Sequence, residues 1–462
     1  HFFQPTLPMT AAPSPPPWHY RQRCPSCIQS DRLAGPLLGM VQTDFFITHE
    51  PFPKEGTMRS HYAVIIVGGG QAGLSMSYCL QERHIDHLVL EQHQIGHSWR
   101  SQRWDSFCLV TPNWQCQLPG FAYPGADPNG FMQKDEIVQY IEAYARSFQP
   151  PVQEGVRVLR IWKNPISDGF ELQTTMGDLT ADQVVIATGG YHRPKIPAIA
   201  QRLPAEIHQL HSSQYKNPQA LSDQAVLVVG TGQSGCQIAE DLHRAGKTVY
   251  LSVGSAPRSP RRYRGKDVVD WLDQMGYYDL AIDDHPQKEQ VRTKTNHYVT
   301  GRDGGREIDL RHFAREGMQL QGRLYDIQGT ELMFQPNLKA NLDQADAVAE
   351  SIKRTIDTFI EQHDIAAPTE PPYQPVWEPA EEVTAIDYQA ANIGTVIWAI
   401  GYHMDFQWVD IPIFDGKGYP GHDRGVTATK GLYFLGLPWL YTWGSGRFSG
   451  IARDAYYLAD YV

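Results

Sequence analysis

Short apolar runs alternate with amphipathic stretches along most of this chain. Ala63–Val67 is rich in β-branched residues and stops at Gly68. Such a run reads as a buried parallel strand. The pattern then turns helical over Leu74–Arg83, and His87–Glu91 reads as the next strand. The same order returns later: Ala225–Val229 stops at Gly230, Cys236–Ala245 is helical and Thr248–Val253 is extended. Asp182–Ala187 and Thr395–Tyr402 read as further buried strands running into glycine. Asp135–Phe148 carries Ile137, Tyr140, Ile141 and Tyr144 on one helical stripe. Asn341–His363 does the same with Ala345, Val348, Ile352, Ile356, Phe359 and Ile360. Val156–Thr175 reads as a small β-meander, Asp267–Asp273 as a short helix and Met318–Phe334 as strands. Strands separated by helices predict an α/β chain built on parallel sheets.

The two strand-to-helix turns carry the chemistry. Gly68, Gly70 and Gly73 fill a G-x-G-x-x-G pattern, with Gln71 and Ala72 between them. The first glycine permits a tight turn, the second lets a pyrophosphate approach the backbone, and the third packs helix on strand. The phosphates then rest on the unpaired N–H groups of the helix N-terminus. Glu91 ends the second strand, where an acid takes a ribose hydroxyl. Gly230, Gly232 and Gly235 repeat the pattern around Gln233 and Ser234. After this second unit no acid ends the strand, and Arg258, Arg261 and Arg262 follow. A missing acid with nearby arginine forks suits a 2′-phosphate, so NADPH is expected there rather than NADH. Two such units predict two dinucleotide-binding, Rossmann-like domains.

Other positions are weaker candidates. Ser98, Trp99 and Arg100 follow the first unit in a loop able to return over a flavin. Thr188 and Gly189 end a strand that needs a bare backbone beside it, and Gly401 ends a later one. Gly450 opens the last helix, whose N-terminus faces either a flavin ring edge or simply the first domain.

Composition narrows the partners. The formal charge of -11 argues against nucleic acid or an anionic membrane. No apolar run approaches the ~20 residues needed to span a bilayer. Six scattered cysteines fit a reduced, cytoplasmic protein. His84, His87, His93 and His97 match no ligand spacing, so no metal is expected. Residues 1–57 include Pro13, Pro15, Pro16 and Pro17 and show no period, which predicts a disordered leader ahead of a natural start near Met58. Cys24-Pro25-Ser26-Cys27 lies in that leader without a second pair or a supporting strand and helix, and reads as incidental.

The order of these motifs resembles the class B flavin-dependent monooxygenases, which include the flavin-containing and the plant indole-3-pyruvate monooxygenases. The resemblance spans about Met58 to Val462. Gly96-His97-Ser98-Trp99 resembles the family's flavin loop, with His97 in place of a glycine. His211-Ser212-Ser213-Gln214-Tyr215 resembles the end of a longer family signature, whose front is replaced by Ala205 and Ile207. Cys116-Gln117-Leu118-Pro119 resembles a plant segment, and Asn113 is the nearest match to a catalytic asparagine of the family. The chain looks most like a bacterial oxidoreductase branch associated with nitrilase gene clusters.

The resemblance implies FAD in a domain made of residues 58–200 and 391–462, with an NADPH domain at 201–340 and a helical insertion at 341–390. It implies that NADPH reduces the flavin, which adds O2 and passes one oxygen atom from a flavin hydroperoxide to a small organic substrate by N-, S- or carbonyl oxygenation. An oxidoreductase or oxidase without oxygen insertion is the alternative. A disulfide reductase is disfavoured, because Cys108 and Cys116 are spaced wrongly for a redox pair. A redox-sensing flavoprotein is the reading from another class, and a homodimer is left open.

Overall fold

The computed structural model describes residues 59–462. The expected leader and Cys24-Pro25-Ser26-Cys27 lie outside the described residues.

His61–Val67 runs through the middle of the first sheet, parallel to His87–Glu91 on one side and to Gly177–Ile186 on the other. Val152–Glu154 extends the sheet past His87–Glu91, and Leu432–Phe434 pairs parallel with the end of Gly177–Ile186. Val64, Ile65 and Ile66 are fully buried, which is why this strand shows no apolar–polar alternation. The helix Gln71–Glu82 packs against Lys134–Phe148 and the terminal helix Ile451–Ala459. Val158–Lys163 and Phe170–Thr174 form the expected antiparallel meander on Gly177–Ile186.

The second sheet is wholly parallel. Its order is His208–His211, Ile393–Trp398, Ala225–Val229, Val249–Ser252 and Gln319–Gln321. Ile393–Trp398 therefore corrects the expected boundary at 391. It is buried along its whole length and lies between two strands of the NADPH unit, so it belongs there. The chain crosses between the sheets through a two-stranded ribbon, Arg193–Pro194 antiparallel to Tyr402–His403. One nucleotide unit is thus inserted in the other, as expected.

The helix Leu338–Gln362 begins slightly before its predicted start, because the Glu382 carboxylate accepts the Leu338 and Lys339 amides there. It is no separate insertion. Leu338, Leu342 and Ala345 join the core under the second sheet. Val348, Ile352, Ile356 and Ile360 close over Tyr263, Val268 and Trp271.

Candidate dinucleotide and substrate site

Both glycine turns have the same internal geometry. Gly68 has φ +111° and Gly230 φ +103°, a region that only glycine enters without strain. A side chain at Gly73 would stand 1.8 Å from the Gly68 carbonyl oxygen, and one at Gly235 1.9 Å from that of Gly230. Each helix therefore sits directly on its turn. At Gly70 the space a side chain would fill meets no atom within 4 Å, and at Gly232 the nearest is Thr295 Cγ2 at 3.6 Å. Open space at the middle glycine is what an approaching pyrophosphate requires.

The helix N-termini agree. Asp267 and Asp309 cap the helices Val268–Gln274 and Leu310–Arg315 with their side chains, and Gln133 and Glu136 form a capping box on Lys134–Phe148. No side chain caps Gln71–Glu82 or Gln233–Arg244. His97–Ser101 and Ile451–Ala459 are uncapped too, but among the described residues these two termini follow the open glycine turns that a phosphate would complete. Glu91 stands at the first turn, its carboxylate accepting the Gly69 and His93 amides, each at 2.8 Å. The Thr188 hydroxyl beside it is buried without a partner. Gly189 and Gly401 both face open space at their strand ends. These features fit a group with a pyrophosphate and a ribose on each sheet: FAD on the first, NADPH on the second.

Around the first turn the side chains form one unit. Trp99 stacks on Phe448 with ring centroids 5.7 Å apart and points Nε1 at Gln71 Oε1. Gln71 Nε2 donates to the Gly446 carbonyl at 3.1 Å. Ala72 packs against Gly436. At the second turn Gln233 donates to the Val299 carbonyl, while Ser234 is half-buried.

Several expected ligands are otherwise engaged. Arg258 is 2 % exposed, lies 4.1 Å from the Tyr373 ring centroid and faces Glu307, Asp309 and Asp346. Arg261 is also buried, paired with Asp267 at 2.5 Å and bonded to the Val110 carbonyl. Both charges are neutralised inside the protein, which corrects their assignment to a 2′-phosphate. Arg262 is exposed and donates to the Gly304 carbonyl. Asn113 is corrected too: its amide donates to the Asp127 carbonyl and accepts the Met132 amide, so it pins the 113–132 loop. Arg100 reaches Glu142 at 2.5 Å rather than the first turn, and Ser98 is exposed. A side chain at Gly450 would meet the Gly444 backbone at 2.5 Å, so close backbone packing explains that glycine.

The described thiols offer no redox pair. Cys79, Cys108, Cys116 and Cys236 are all free and buried. Burial pushes Cys79, Cys108 and Cys116 up to about 12 and Cys236 well above its ordinary range. Among the described residues, no group of three or more His, Cys, Asp or Glu side chains could hold a metal, and no helix is long and apolar enough to cross a membrane.

Two residues beside the first turn were missed from sequence, Arg103 and Arg447. Arg103 lies 5.0 Å from the Trp99 ring centroid, and Arg447 immediately precedes Phe448. Neither belongs to a motif. The only sequence signal is an arginine within an aromatic-rich stretch, Trp439–Phe448.

Comparison with known proteins agrees with this geometry. Residues 65–313 match the family model described as pyridine nucleotide-disulphide oxidoreductase. An uncharacterised CzcO-like oxidoreductase of Geobacillus kaustophilus is 34% identical over 86% of this chain and 97% of its own length. Indole-3-pyruvate monooxygenase YUCCA1 of rice, Oryza sativa, is 31% identical over 41% of this chain and 47% of its own. The fold matches a flavin-containing monooxygenase from Stenotrophomonas maltophilia with a TM-score of 0.58 at 17% identity, covering 87% of this chain and 98% of the other. The chain belongs to the pyridine nucleotide-disulphide oxidoreductase family and is a flavin-dependent oxidoreductase related to the class B monooxygenases.

Proposed function

We propose that this protein is an FAD- and NADPH-dependent monooxygenase that places one oxygen atom of O2 on a small organic substrate. The observation that carries the reading is a contrast. Two complete dinucleotide cradles stand on one chain, yet no described cysteine is paired or ionised at neutral pH. Among the described residues, electrons from NADPH have no disulfide to reduce, which supports O2 as acceptor.

FAD bound at the first sheet supplies hydride acceptance from NADPH and activation of O2. The chain's own residues bind, orient and shield. The bare helix N-termini hold pyrophosphate, and Glu91 fixes the turn and a ribose hydroxyl. Trp99, Phe448, Tyr278 and Trp443 supply aromatic surface that excludes water. The reading includes a soluble cytoplasmic enzyme.

The test is oxygen accounting on purified, FAD-loaded protein. NADPH oxidation under 18O2 is followed with amines, sulfides and 2-oxo acids, while peroxide release is measured. Labelled oxygen in a product, with peroxide falling as substrate is added, is the expected result. Peroxide equal to NADPH consumed with every substrate class would make the protein an oxidase.

A further inference from the structure

Hydride transfer between two coenzymes needs the flavin unit and the NADPH unit at a fixed angle. A misplacement of ~1 Å costs about 100-fold in rate. The ribbon that joins the units is a two-stranded piece, a weak brace by itself. A second attachment supplies what the ribbon lacks. The segment from Trp104 to Val110 leaves the flavin unit and enters the NADPH unit. Trp104 is 2 % exposed and lies in the core under the second sheet, with Val228 and Leu242. Phe107 meets Trp104 edge-on at 5.0 Å and Trp99, beside the first turn, at 5.9 Å. Ser106 donates to Asp241 at 2.5 Å, and Asn217 donates to Asp105 at 2.7 Å.

Arg261 closes this attachment. It is 3 % exposed and belongs to the NADPH unit. Its guanidinium pairs with Asp267 at 2.5 Å, lies 4.1 Å from the Phe131 ring centroid and donates to the Val110 carbonyl at 2.8 Å. Asp267 also accepts the Val269 amide, so the cation is fixed within its own unit before it reaches the other. Backbone of the NADPH unit lies against the same strip. A side chain at Gly301 would stand 2.0 Å from the Leu109 carbonyl oxygen, and one at Gly305 2.5 Å from Phe131 Cε2. The strip is equally fixed on the flavin side. The Leu109 amide donates to the Met132 carbonyl at 2.8 Å, and the chain runs on into the helix Lys134–Phe148, which packs on Gln71–Glu82. An arginine fork serves an acid, a carbonyl and a ring together, which a lysine ammonium cannot.

We propose that Arg261 is a positioning residue: by bolting the strip of Val110 and Phe131 to the NADPH unit it sets the angle between the two units, and with it the approach of nicotinamide to flavin. This rests on the reading that NADPH reduces bound FAD, and not on oxygen insertion.

The test uses FAD-loaded full chain in a Cys24→Ser/Cys27→Ser background. Spin labels are placed at Met176→Cys and Tyr325→Cys, one exposed position in each unit. The distance distribution between them is read without NADPH by pulsed electron resonance, and flavin reduction at saturating NADPH is timed without oxygen. The parent is expected to give one narrow distance. Arg261→Gln should broaden it and slow reduction at least about tenfold, with FAD content and NADPH affinity kept within about twofold. Arg261→Lys keeps a charge for Asp267 but not the fork, and should broaden the distance likewise. Arg258→Gln, whose acidic partners all lie in the NADPH unit, is the control for lost stability and should leave both readings as in the parent. If Arg261→Gln does not fold, Ser106→Ala removes a milder contact of the same attachment and should broaden the distance in the same sense. The proposal is overturned by a distance as narrow as the parent's in these variants, by an unchanged reduction rate, by a loss confined to NADPH affinity, or by equal broadening in Arg258→Gln. None of these readings depends on whether oxygen reaches a substrate, so the two proposals fail separately.

Discussion

The Glu91 carboxylate accepts the Gly69 amide at 2.8 Å, across the tip of the first glycine turn. One acid thereby shapes the turn and stands at its ribose position. Glu91→Ala is expected to lose FAD, giving nearly colourless protein, with a lowered Tm from the lost backbone contacts. The ratio of flavin to protein absorbance checks this, and full FAD content in the variant refutes it.

Gly70 and Gly73 separate binding from folding. A side chain at Gly70 meets nothing in the protein, whereas one at Gly73 lies 1.8 Å from the Gly68 carbonyl oxygen. Gly70→Val should remain soluble and folded by circular dichroism but colourless. Gly73→Val should fail to fold. Gly232→Val should keep its yellow colour and lose NADPH reduction alone.

Replacing Arg258 should affect stability rather than coenzyme choice. Its removal takes the shared cation from Glu307, Asp309 and Asp346 and leaves Arg311 on Asp346 alone of the three. Arg258→Gln is expected to destabilise by about 3–5 kcal/mol, as other broken buried pairs do. Urea unfolding measures the loss. A stable variant that no longer prefers NADPH to NADH would restore the phosphate assignment.

Asp454 sets a pH dependence of stability. Burial in the terminal helix pushes its carboxyl up to about 6, against the opposing pull of Ser445 and Arg424. The unfolded value is near 3.9. The native state therefore holds this proton over a range in which the unfolded chain has released it. The contribution is fully present below pH ~4 and is lost as pH rises through about 6, a difference of about 3 kcal/mol. Asp454→Asn should raise the Tm at pH 8 and leave it nearly unchanged at pH 4. Equal Tm values at pH 8 would show that the carboxylate is not penalised there.

The thiols give a kinetic test. In a Cys24→Ser/Cys27→Ser variant the remaining cysteines should ignore a disulfide reagent until the protein unfolds, because burial holds them protonated. NADPH turnover should survive in that variant. Its loss would favour a dithiol mechanism.

The two fold units were legible because each joins an apolar run to three glycines whose spacing is set by sterics. The boundary at 391 was not. Ile393–Trp398 is an all-buried strand, and such a strand carries no mark of which sheet it enters. The arginines misled for a related reason. Arg258 and Arg261 look like a basic loop in sequence, while the acids that neutralise them come from Asp267, Glu307, Asp309 and Asp346. Asn113 is similar, since its backbone partners at Asp127 and Met132 are invisible without the loop closed.

Each strand that flanks a glycine turn ends against it. The Ala187 carbonyl seats Gly68 and the Ala399 carbonyl seats Gly230. The same two alanines begin the outgoing and returning links that meet in the ribbon Arg193–Pro194 and Tyr402–His403. Both links therefore leave directly from the seats of the two turns. Rotation of one nucleotide unit against the other would sweep the distant loop tips through wide arcs and leave each pyrophosphate seat almost still.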